Sequence, residues 1–410
     1  MTFQLKSYNF NDFCLTYIVF FSIVYQAFVP IGFILWILTI WLNLNKRPIN
    51  LSQQFKDVEF WFILYYLLLI IGMFWTDNQI FGLSKIENKL SFILFPILFR
   101  FSKINLNRRT IFSILLFGLF ISLLFYESVG FYKSIYYPVV EHYSYLTGAK
   151  FTVFMHRGYF SLYLIIGISV CIARILNKKK LIIHLLLYAF FTLGLFQTLS
   201  KAGVLCFIVV HIIYIIHTIM NKWKTVKKKH IVFLLAVSMI AILFSIKSVI
   251  VRIDKTIYAL NHIKLEDNNS IESNQARLIM WNTSVKLIKD NFIYGTGTGD
   301  YNDELIKRNK RYQNLGVVSS ELNSHNQFLN TFVQLGLIGF LVLSAIFYSY
   351  FRIAFKNRDL LIVIIGVSFL LNFLFESIIE TQSGIILFCI LFICSTSSEL
   401  RKDTLKTLKK

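Results

Sequence analysis

The sequence has few charged residues, prolines, glycines and cysteines. Only 15% of its 410 residues are Asp, Glu, Lys or Arg, against about 25% in soluble domains. With 4 prolines and 18 glycines, the chain is neither collagen-like nor a Pro/Gly-rich disordered segment. Its five cysteines all lie inside apolar runs, so they are interpreted as buried hydrophobic residues rather than as a disulfide framework or a metal site. These deficits exclude an ordinary soluble domain, and the hydrophobic content of 56% indicates a membrane protein.

Long apolar runs separated by polar breaks make up most of the chain. A helix that spans a bilayer needs about 20 mainly apolar residues, with a range of about 17 to 25. By this criterion the sequence predicts an all-α polytopic membrane protein with about twelve transmembrane helices and one large periplasmic loop. The predicted runs are Phe13–Ala27, Ile31–Leu44, Val58–Trp75, Ile86–Phe99, Thr110–Tyr126, Gly158–Leu176, Leu181–Gln197, Leu199–Met220, Ile231–Val249, Gln327–Tyr350, Leu360–Phe375 and Gly384–Cys394.

The same pattern divides the chain into three parts. Residues 1–249 hold helices 1 to 9, residues 250–325 form the periplasmic loop, and residues 326–410 hold helices 10 to 12 and a basic cytoplasmic tail. The first twelve residues are polar, and no small-residue cleavage site follows them, so no secretory signal is expected.

Basic residues outnumber acidic residues by 42 to 21, which gives a formal net charge of +21. In a soluble protein this excess would suggest a nucleic acid partner. The cytoplasmic loops of membrane proteins, however, carry an excess of Lys and Arg. When both termini are placed in the cytoplasm, every predicted cytoplasmic segment is basic, whereas the external segments are nearly neutral overall. The charge therefore indicates topology rather than nucleic acid binding.

The predicted external loop contains an amphipathic helix and a glycine-rich turn. Leu278, Trp281, Val285 and Ile288 stand at helical spacing and predict an amphipathic helix over Ala276–Lys289, lying near the membrane surface. The turn, with the sequence YGTGTGD at 294–300, has no preceding strand and no following Gly-Lys-Ser/Thr, so a nucleotide site is rejected. A flexible turn is the default interpretation, and a nest of backbone amides that helps to hold a phosphate is the alternative. Its acidic residues lack metal-site spacing.

The sequence SHN at 324–326 stands directly before a long apolar run. Asn323 or Ser324 is expected to cap the helix that begins near Gln327, which places His325 at its outer end. A helix N-terminus favours bound anions and neutral imidazole, the form that a general base requires. A capping or interfacial histidine is the structural alternative. Three other external histidines, at positions 142, 156 and 262, show no recognisable spacing.

Three cations and two carboxylates are predicted near the outer membrane surface. Arg157, Lys201 and Arg277 could each extend toward lipid headgroups, or together could form a pocket for a phosphorylated lipid. Glu376 and Glu380 are four residues apart and are expected to share one face at the end of the eleventh helix. They could pair with a cation or bind sugar hydroxyls.

Several motifs in the second half of the chain occur in an order that identifies a family. They are LSKAG at 199–203, Arg277 followed by Trp281, YGTGTG at 294–299, SHNQFL at 324–329 and QLGLIG at 334–339. Together they resemble the bacterial O-antigen ligase and polymerase superfamily over about residues 190–350. The predicted helix number and topology agree with the GT-C-like fold of these lipid-linked glycan transferases.

This resemblance implies a glycosyltransferase of the bacterial inner membrane that needs no metal and no cofactor. Ligases of the family transfer a glycan, with inversion, from undecaprenyl diphosphate to a sugar hydroxyl of the lipid A core on the periplasmic face. By resemblance, His325 is the base and Arg277 binds the diphosphate. Lys201 occupies the position of a family arginine, and lysine keeps the charge but not the bidentate geometry. Arg157 is added as a diphosphate ligand on charge and topology, and Asn326, Glu376 and Glu380 are candidates for binding the acceptor or glycan.

Three other functions stay open at this point. An O-antigen polymerase shares these helices and this loop, and it differs in using another lipid-linked glycan as the acceptor. A protein-glycosylating oligosaccharyltransferase usually has an extra C-terminal domain, whereas this sequence ends in a basic tail. A flippase or transporter of lipid-linked sugars would be expected to show internal repeats and broken helix pairs, and this sequence shows neither.

Overall fold

The structure is a computed structural model that describes residues 8–40, 57–137, 145–177, 180–221, 273–319 and 323–398, with the single residues 236 and 400. Apart from residue 236, the predicted ninth run lies outside the described residues. So do residues 250–272 of the predicted loop and the basic tail at 401–410.

All regular secondary structure in the described ranges is helical. The α-helices are α1 (Phe10–Val24), α2 (Val29–Thr39), α3 (Val58–Ile71), α4 (Gln79–Asn88), α5 (Ser91–Phe101), α6 (Arg108–Tyr136), α7 (Arg157–Leu176), α8 (Leu181–Gln197), α9 (Lys201–Asn221), α10 (Ser273–Asp290), α11 (Tyr301–Arg311), α12 (Leu315–Ser319), α13 (Gln327–Lys356), α14 (Leu360–Phe375) and α15 (Gln382–Thr396). Short 3₁₀ turns occupy Gln26–Phe28, Gly72–Trp75, Gly148–Lys150 and Ile378–Glu380.

Five of these helical segments are long and apolar enough to cross a membrane. They are Val58–Trp75, Arg108–Tyr136, Arg157–Leu176, Lys201–Met220 and Gln327–Lys356, and five shorter apolar helices accompany them. The all-helical membrane fold is therefore confirmed at this level, whereas the count of twelve spans and the periplasmic position of the loop stay predictions.

One predicted run is divided in the structure. The run Ile86–Phe99 covers the end of α4 and most of α5, because the first helix ends at Asn88 and the second begins at Ser91. The break lies at Lys89, whose side chain is fully buried and turned toward Glu380. A buried charge needs a partner, and the ion pair with Glu380 accounts for a buried lysine between the two helices, which hydropathy alone did not predict.

Helices α7 and α15 lie at the centre of the bundle. Helix α7 packs against α6, α8, α9 and α14, and α15 packs against α1, α3, α5 and α13. Three quarters of the residues of α7 and all but one of the residues of α15 are buried. The residues just before α7 and the connection from α14 to α15 meet at one end of this core, and that end carries the candidate site.

Several ion pairs join residues that are predicted to lie on the same side of the membrane. Arg100 pairs with Asp57 and Glu59, and all three are predicted to be cytoplasmic. At the other end, residues predicted to be external pair with one another: Lys85 and Lys89 with Glu380, and Arg277 with Glu376. Such same-side pairs are expected when successive helices cross the membrane in alternate directions.

Candidate active site at the His325 end of the bundle

Glu376 joins two of the predicted site residues. Its Oε2 atom lies 3.3 Å from Nδ1 of His325, and its Oε1 atom accepts a hydrogen bond of 2.9 Å from Nη2 of Arg277. The carboxylate follows α14 directly, the histidine precedes α13, and the arginine lies on α10. Three segments that are far apart in sequence therefore meet at one side chain.

Glu376 is ionised in this arrangement. Burial alone would raise its pKa, but the hydrogen bond to His325 and the charge of Arg277 outweigh burial and hold the pKa below the ordinary value. A carboxylate only accepts hydrogen bonds, so in the neutral ring Nδ1 of His325 carries the proton and Nε2 has the lone pair. The His325 side chain is 27% exposed, which leaves the imidazole accessible to a substrate.

The backbone around His325 is held by several side chains. His325 has a φ of 45°, the left-handed conformation, and its N–H donates to Oδ1 of Asn323. Nε1 of Trp281 donates to the Ser324 carbonyl at 2.9 Å. Trp281 and Arg277 are four residues apart on α10, so one face of this helix contacts both the backbone and the carboxylate partner of His325.

The cap of α13 differs from the prediction. Asn326 is the N-cap, because its side chain accepts from the Leu329 N–H at 3.1 Å. The expectation that Asn323 or Ser324 caps the helix is wrong. Asn323 binds the His325 amide instead, and the Ser324 hydroxyl donates to the Asn326 carbonyl. The left-handed residue between them turns the chain and delays the start of the helix.

The start of α7 brings Arg157 and a second histidine to the same place. His156 caps α7, since its Nδ1 accepts from the Gly158 N–H at 3.3 Å. A Cβ added at Gly158 would lie 3.2 Å from His156 Nδ1 and 3.5 Å from Cδ of Glu376, so both side chains border the same point. Arg157 interacts electrostatically with Glu376 and Arg277. Sequence reasoning found Arg157 by its charge but passed over His156, whose signal was its position directly before an apolar run.

Lys201 is the first residue of α9, and its side chain is exposed. The hydroxyl of the preceding residue, Ser200, lies 3.0 Å from that of Ser161, one turn into α7. A Cβ added at Gly148 would lie 3.6 Å from Leu199 and 3.8 Å from Nη1 of Arg157. The segment that carries Lys201 therefore lies beside Arg157, at the same end of the bundle as His325.

Glu380 belongs to a different cluster. Its carboxylate is 2.7 Å from Nζ of Lys89 and 3.2 Å from Nζ of Lys85, and it also accepts from the hydroxyl of Tyr301 at 3.3 Å. Nε2 of Gln327 lies 3.5 Å away. Burial would raise the pKa of Glu380, but the two lysines lower it to about 2.

The two carboxylates do not share a helical face, so that expectation is wrong. Helix α14 ends at Phe375, Glu376 is extended with a φ of −145°, and Glu380 lies in a separate 3₁₀ turn. Glu376 and Glu380 both form ion pairs in the structure. The Asn326 side chain caps α13 and donates a hydrogen bond to the Leu374 carbonyl. A role of these three residues in glycan binding stays a prediction.

The glycine-rich turn at 294–300 is a structural joint between the loop and the membrane helices. Each of its amides from 295 to 299 already donates to a protein oxygen: the carbonyls of Asn291, Val333, Gln334 and Gly72 and the hydroxyl of Thr76. Asp300 accepts from the backbone amides of Asp77 and Asn78, each at 2.7 Å. The alternative of a phosphate-binding nest is therefore wrong for residues 295–299, because these five amides already have protein acceptors.

Helix α13 breaks where this turn docks. Gly336 has a φ of 64° and a ψ of −161°, and the Leu337 N–H donates to the Phe292 carbonyl at 2.8 Å instead of to its own helix. The backbone of Ile293 approaches so closely that a side chain at Gly336 has no room. The QLGLIG sequence therefore marks a docking point for the loop.

Replacing Gly336 by alanine should lower the free energy of unfolding by at least about 3 kcal/mol, because it adds a steric clash to backbone strain. The new Cβ would lie 2.2 Å from the Ile293 carbonyl oxygen. Thermal unfolding of the purified protein in detergent measures the change. Gly118→Ala in α6 is the control, since its Cβ would meet a movable atom of Ile23 at 3.3 Å. Equal unfolding temperatures for the two variants would contradict this assignment.

The predicted loop helix exists, but its buried face differs. Helix α10 buries Ala276, Ile279, Met280 and Leu287 against α11, α12 and α13, whereas Val285, predicted to be on the apolar face, is 42% exposed. The buried stripe is displaced from the predicted one because the helix packs on α11, α12 and α13, although Ile288 of the predicted face is also buried there. Within the described ranges, no three His, Cys, Asp or Glu side chains form a group that could hold a metal ion.

Comparison with known proteins agrees with these motifs. Residues 184–344 match the family model described as O-antigen ligase, a range that includes Lys201, Arg277 and His325 and ends before Glu376. A Haemophilus influenzae protein described as uncharacterized is 24% identical over 368 residues, which cover 85% of this chain and 88% of that protein. The family match over residues 184–344 confirms the resemblance to the O-antigen ligase superfamily that the motifs indicated.

Proposed function

We propose that this protein is an inner-membrane O-antigen ligase. It moves a glycan from undecaprenyl diphosphate to a sugar hydroxyl of the lipid A core on the periplasmic face, with inversion. The observation that carries the proposal is the contact of Glu376 with both His325 and Arg277, because it places an oriented imidazole beside a cation. The family match supports the reaction class.

The reaction needs a base, a stabilised leaving group and two oriented substrates. Nε2 of His325 takes the proton of the acceptor hydroxyl while that oxygen bonds to the anomeric carbon of the glycan. The bond from the anomeric carbon to the phosphate oxygen breaks, and its electron pair leaves with undecaprenyl diphosphate. Arg277, Arg157 and Lys201 hold the developing negative charge, which is the work that a metal ion would otherwise do, so we propose that the transfer is metal-independent.

Glu376 acts on this reaction as a positioning residue. A carboxylate bonded to one imidazole nitrogen fixes the tautomer and stabilises the imidazolium that forms when the other nitrogen takes a proton. Glu376 is also the ion-pair partner of Arg277. A bound diphosphate competes for this arginine, so donor binding and the charge state around His325 are coupled.

Inactivation of the gene should cause the donor to accumulate, and the form of the donor identifies the reaction. A ligase leaves long glycan chains on undecaprenyl diphosphate, because the chains are completed but not transferred. A polymerase leaves single repeat units on the same carrier. Extraction of the lipid-linked glycans and separation by chain length distinguishes these results, and no accumulation of either would contradict a transferase function.

Complementation with two arginine variants controls this experiment. Arg277→Ala should fail to clear the accumulated donor, because it removes the cation paired with Glu376. Arg311→Ala changes an exposed arginine on α11 of the same loop and should restore transfer. Equal complementation by the two variants would contradict the role of Arg277.

A further inference from the structure

His156 is the one neighbour of Glu376, among those described above, to which the proposed reaction gives no role. It stands directly before α7, its side chain is exposed, and its ring packs edge-on against Tyr159 at a centroid distance of 5.3 Å. Glu376, Arg157, His325 and Arg277 all act electrostatically on its imidazole. The side chain is therefore part of the same cluster and accessible from outside it.

The cap of α7 fixes the tautomer of His156. The Gly158 N–H is only a donor, so Nδ1, which accepts from it, carries a lone pair. In the neutral ring, the proton is therefore on Nε2. The surrounding protein lowers the pKa of His156 by desolvation, and the nearby cations act in the same direction against Glu376. Neutral His156 thus offers an N–H donor, whereas neutral His325 offers an acceptor.

The charges around His156 favour an anion. With both histidines neutral, Arg157 and Arg277 carry two positive charges and Glu376 carries one negative charge. The acceptor hydroxyl and the diphosphate are the polar groups of the proposed reaction, and only the diphosphate is anionic. A fixed N–H donor that costs no change in protonation suits a leaving group on which charge develops.

We propose that His156 is a further substrate-contacting residue, whose Nε2–H donates a hydrogen bond to a non-bridging oxygen of the diphosphate leaving group. This inference rests on the proposed function, because that function supplies the lipid diphosphate. The His156 ring caps α7 through Nδ1, whereas the proposed bond to the diphosphate uses Nε2. Substitutions that keep only one of these two functions can therefore test them separately.

Two substitutions remove one nitrogen function each. His156→Asn keeps an oxygen that can cap α7 but has no group at the position of Nε2. His156→Gln places an amide N–H near the position of Nε2 but has no short acceptor for the Gly158 amide.

The probe is undecaprenyl diphosphate itself, added as a product inhibitor of glycan transfer by the purified full-length protein. Unfolding temperature is measured beside inhibition, and His156→Ser is a second cap-preserving variant in case the Asn variant does not fold.

The inhibition constant should rise about 10- to 100-fold in His156→Asn, the usual effect of losing a hydrogen bond to a charged group, while its unfolding temperature is unchanged. His156→Gln should bind undecaprenyl diphosphate within a few-fold of wild type even if it is less stable. Unchanged inhibition of His156→Asn would overturn the inference and leave His156 as a helix cap. Wild-type protein that transfers no glycan would instead overturn the proposed function.

Discussion

Replacing His325 by asparagine should reduce glycan transfer by about 10²- to 10⁴-fold, the range expected for loss of a general base. The imidazole has a carboxylate partner at Nδ1, which leaves Nε2 as the proposed base, and asparagine supplies no comparable base. Asparagine is chosen over alanine because residue 325 has a φ of 45°, which asparagine tolerates better than most residues. Transfer is measured with purified protein in detergent, a lipid-linked glycan donor and a lipid A core acceptor.

The control for this experiment is His211→Asn. His211 lies ten residues beyond the first residue of α9, roughly 15 Å along the helix from the site end. Its ring bonds to the Tyr188 hydroxyl at 2.8 Å, so it is another structurally engaged histidine. His211→Asn should keep transfer within a few-fold of wild type. A His325→Asn protein that transfers glycan at the wild-type rate would disprove the base.

Replacing Glu380 by leucine should destabilise the protein by about 3–5 kcal/mol, the usual cost of removing one partner from a buried ion pair. The substitution leaves Lys89, which is fully buried, and Lys85, whose side chain is 12% exposed, without their carboxylate. Thermal unfolding in detergent measures the change. Adding Lys89→Met to the same chain should recover part of the stability, because it removes the more deeply buried of the two unpaired charges.

An exposed pair provides the matched control. Lys307 and Glu304 are three residues apart on α11, with side chains 57% and 33% exposed. Glu304→Leu should cost at most about 1 kcal/mol, since solvent screens such pairs. If Glu380→Leu and Glu304→Leu lost the same free energy of unfolding, burial of the Glu380 cluster would contribute nothing to stability.

The same cluster predicts how stability depends on pH. The pKa of Glu380 is lowered from 4.5 to about 2, because the attraction of Lys89 and Lys85 outweighs burial. A group with a depressed pKa stabilises the folded state above its unfolded value. This contribution should therefore be complete above about pH 4.5 and disappear as the pH falls toward 2, and Glu380→Leu should remove that part of the pH dependence.

Hydropathy predicted the helices whose ends coincide with changes in polarity. The predicted runs Leu181–Gln197 and Leu360–Phe375 are the observed α8 and α14. It failed at Lys89, where the predicted run Ile86–Phe99 continues but the observed helix ends at Asn88, because hydropathy averages over a single charge and cannot identify its distant partner Glu380. The predicted run also ends at Phe375, yet the four-residue spacing of Glu376 and Glu380 was interpreted as a helical face, although both residues lie beyond the observed helix.

The sequence predicted individual site residues better than the contacts between them. His325 and Arg277 lie in recognisable motifs, and Arg157 was found as an external cation. Their mutual contacts run through Glu376, 51 residues after His325 and 99 residues after Arg277, and such separations leave no local pattern. The loop helix shows the same limit: its period predicted a helix, but only its packing partners decide which face is buried.

The long separations also determine when during synthesis the site can form. Asp300 bonds to backbone made 223 residues earlier, and Lys89 waits for Glu380, made 291 residues later. A ribosome that has just completed the loop has therefore produced a chain whose Lys89 lacks its counterion and whose His325 lacks Glu376. An arrested or C-terminally truncated chain should be unable to consume lipid-linked glycan, and its unpaired buried lysine would mark it for membrane quality control.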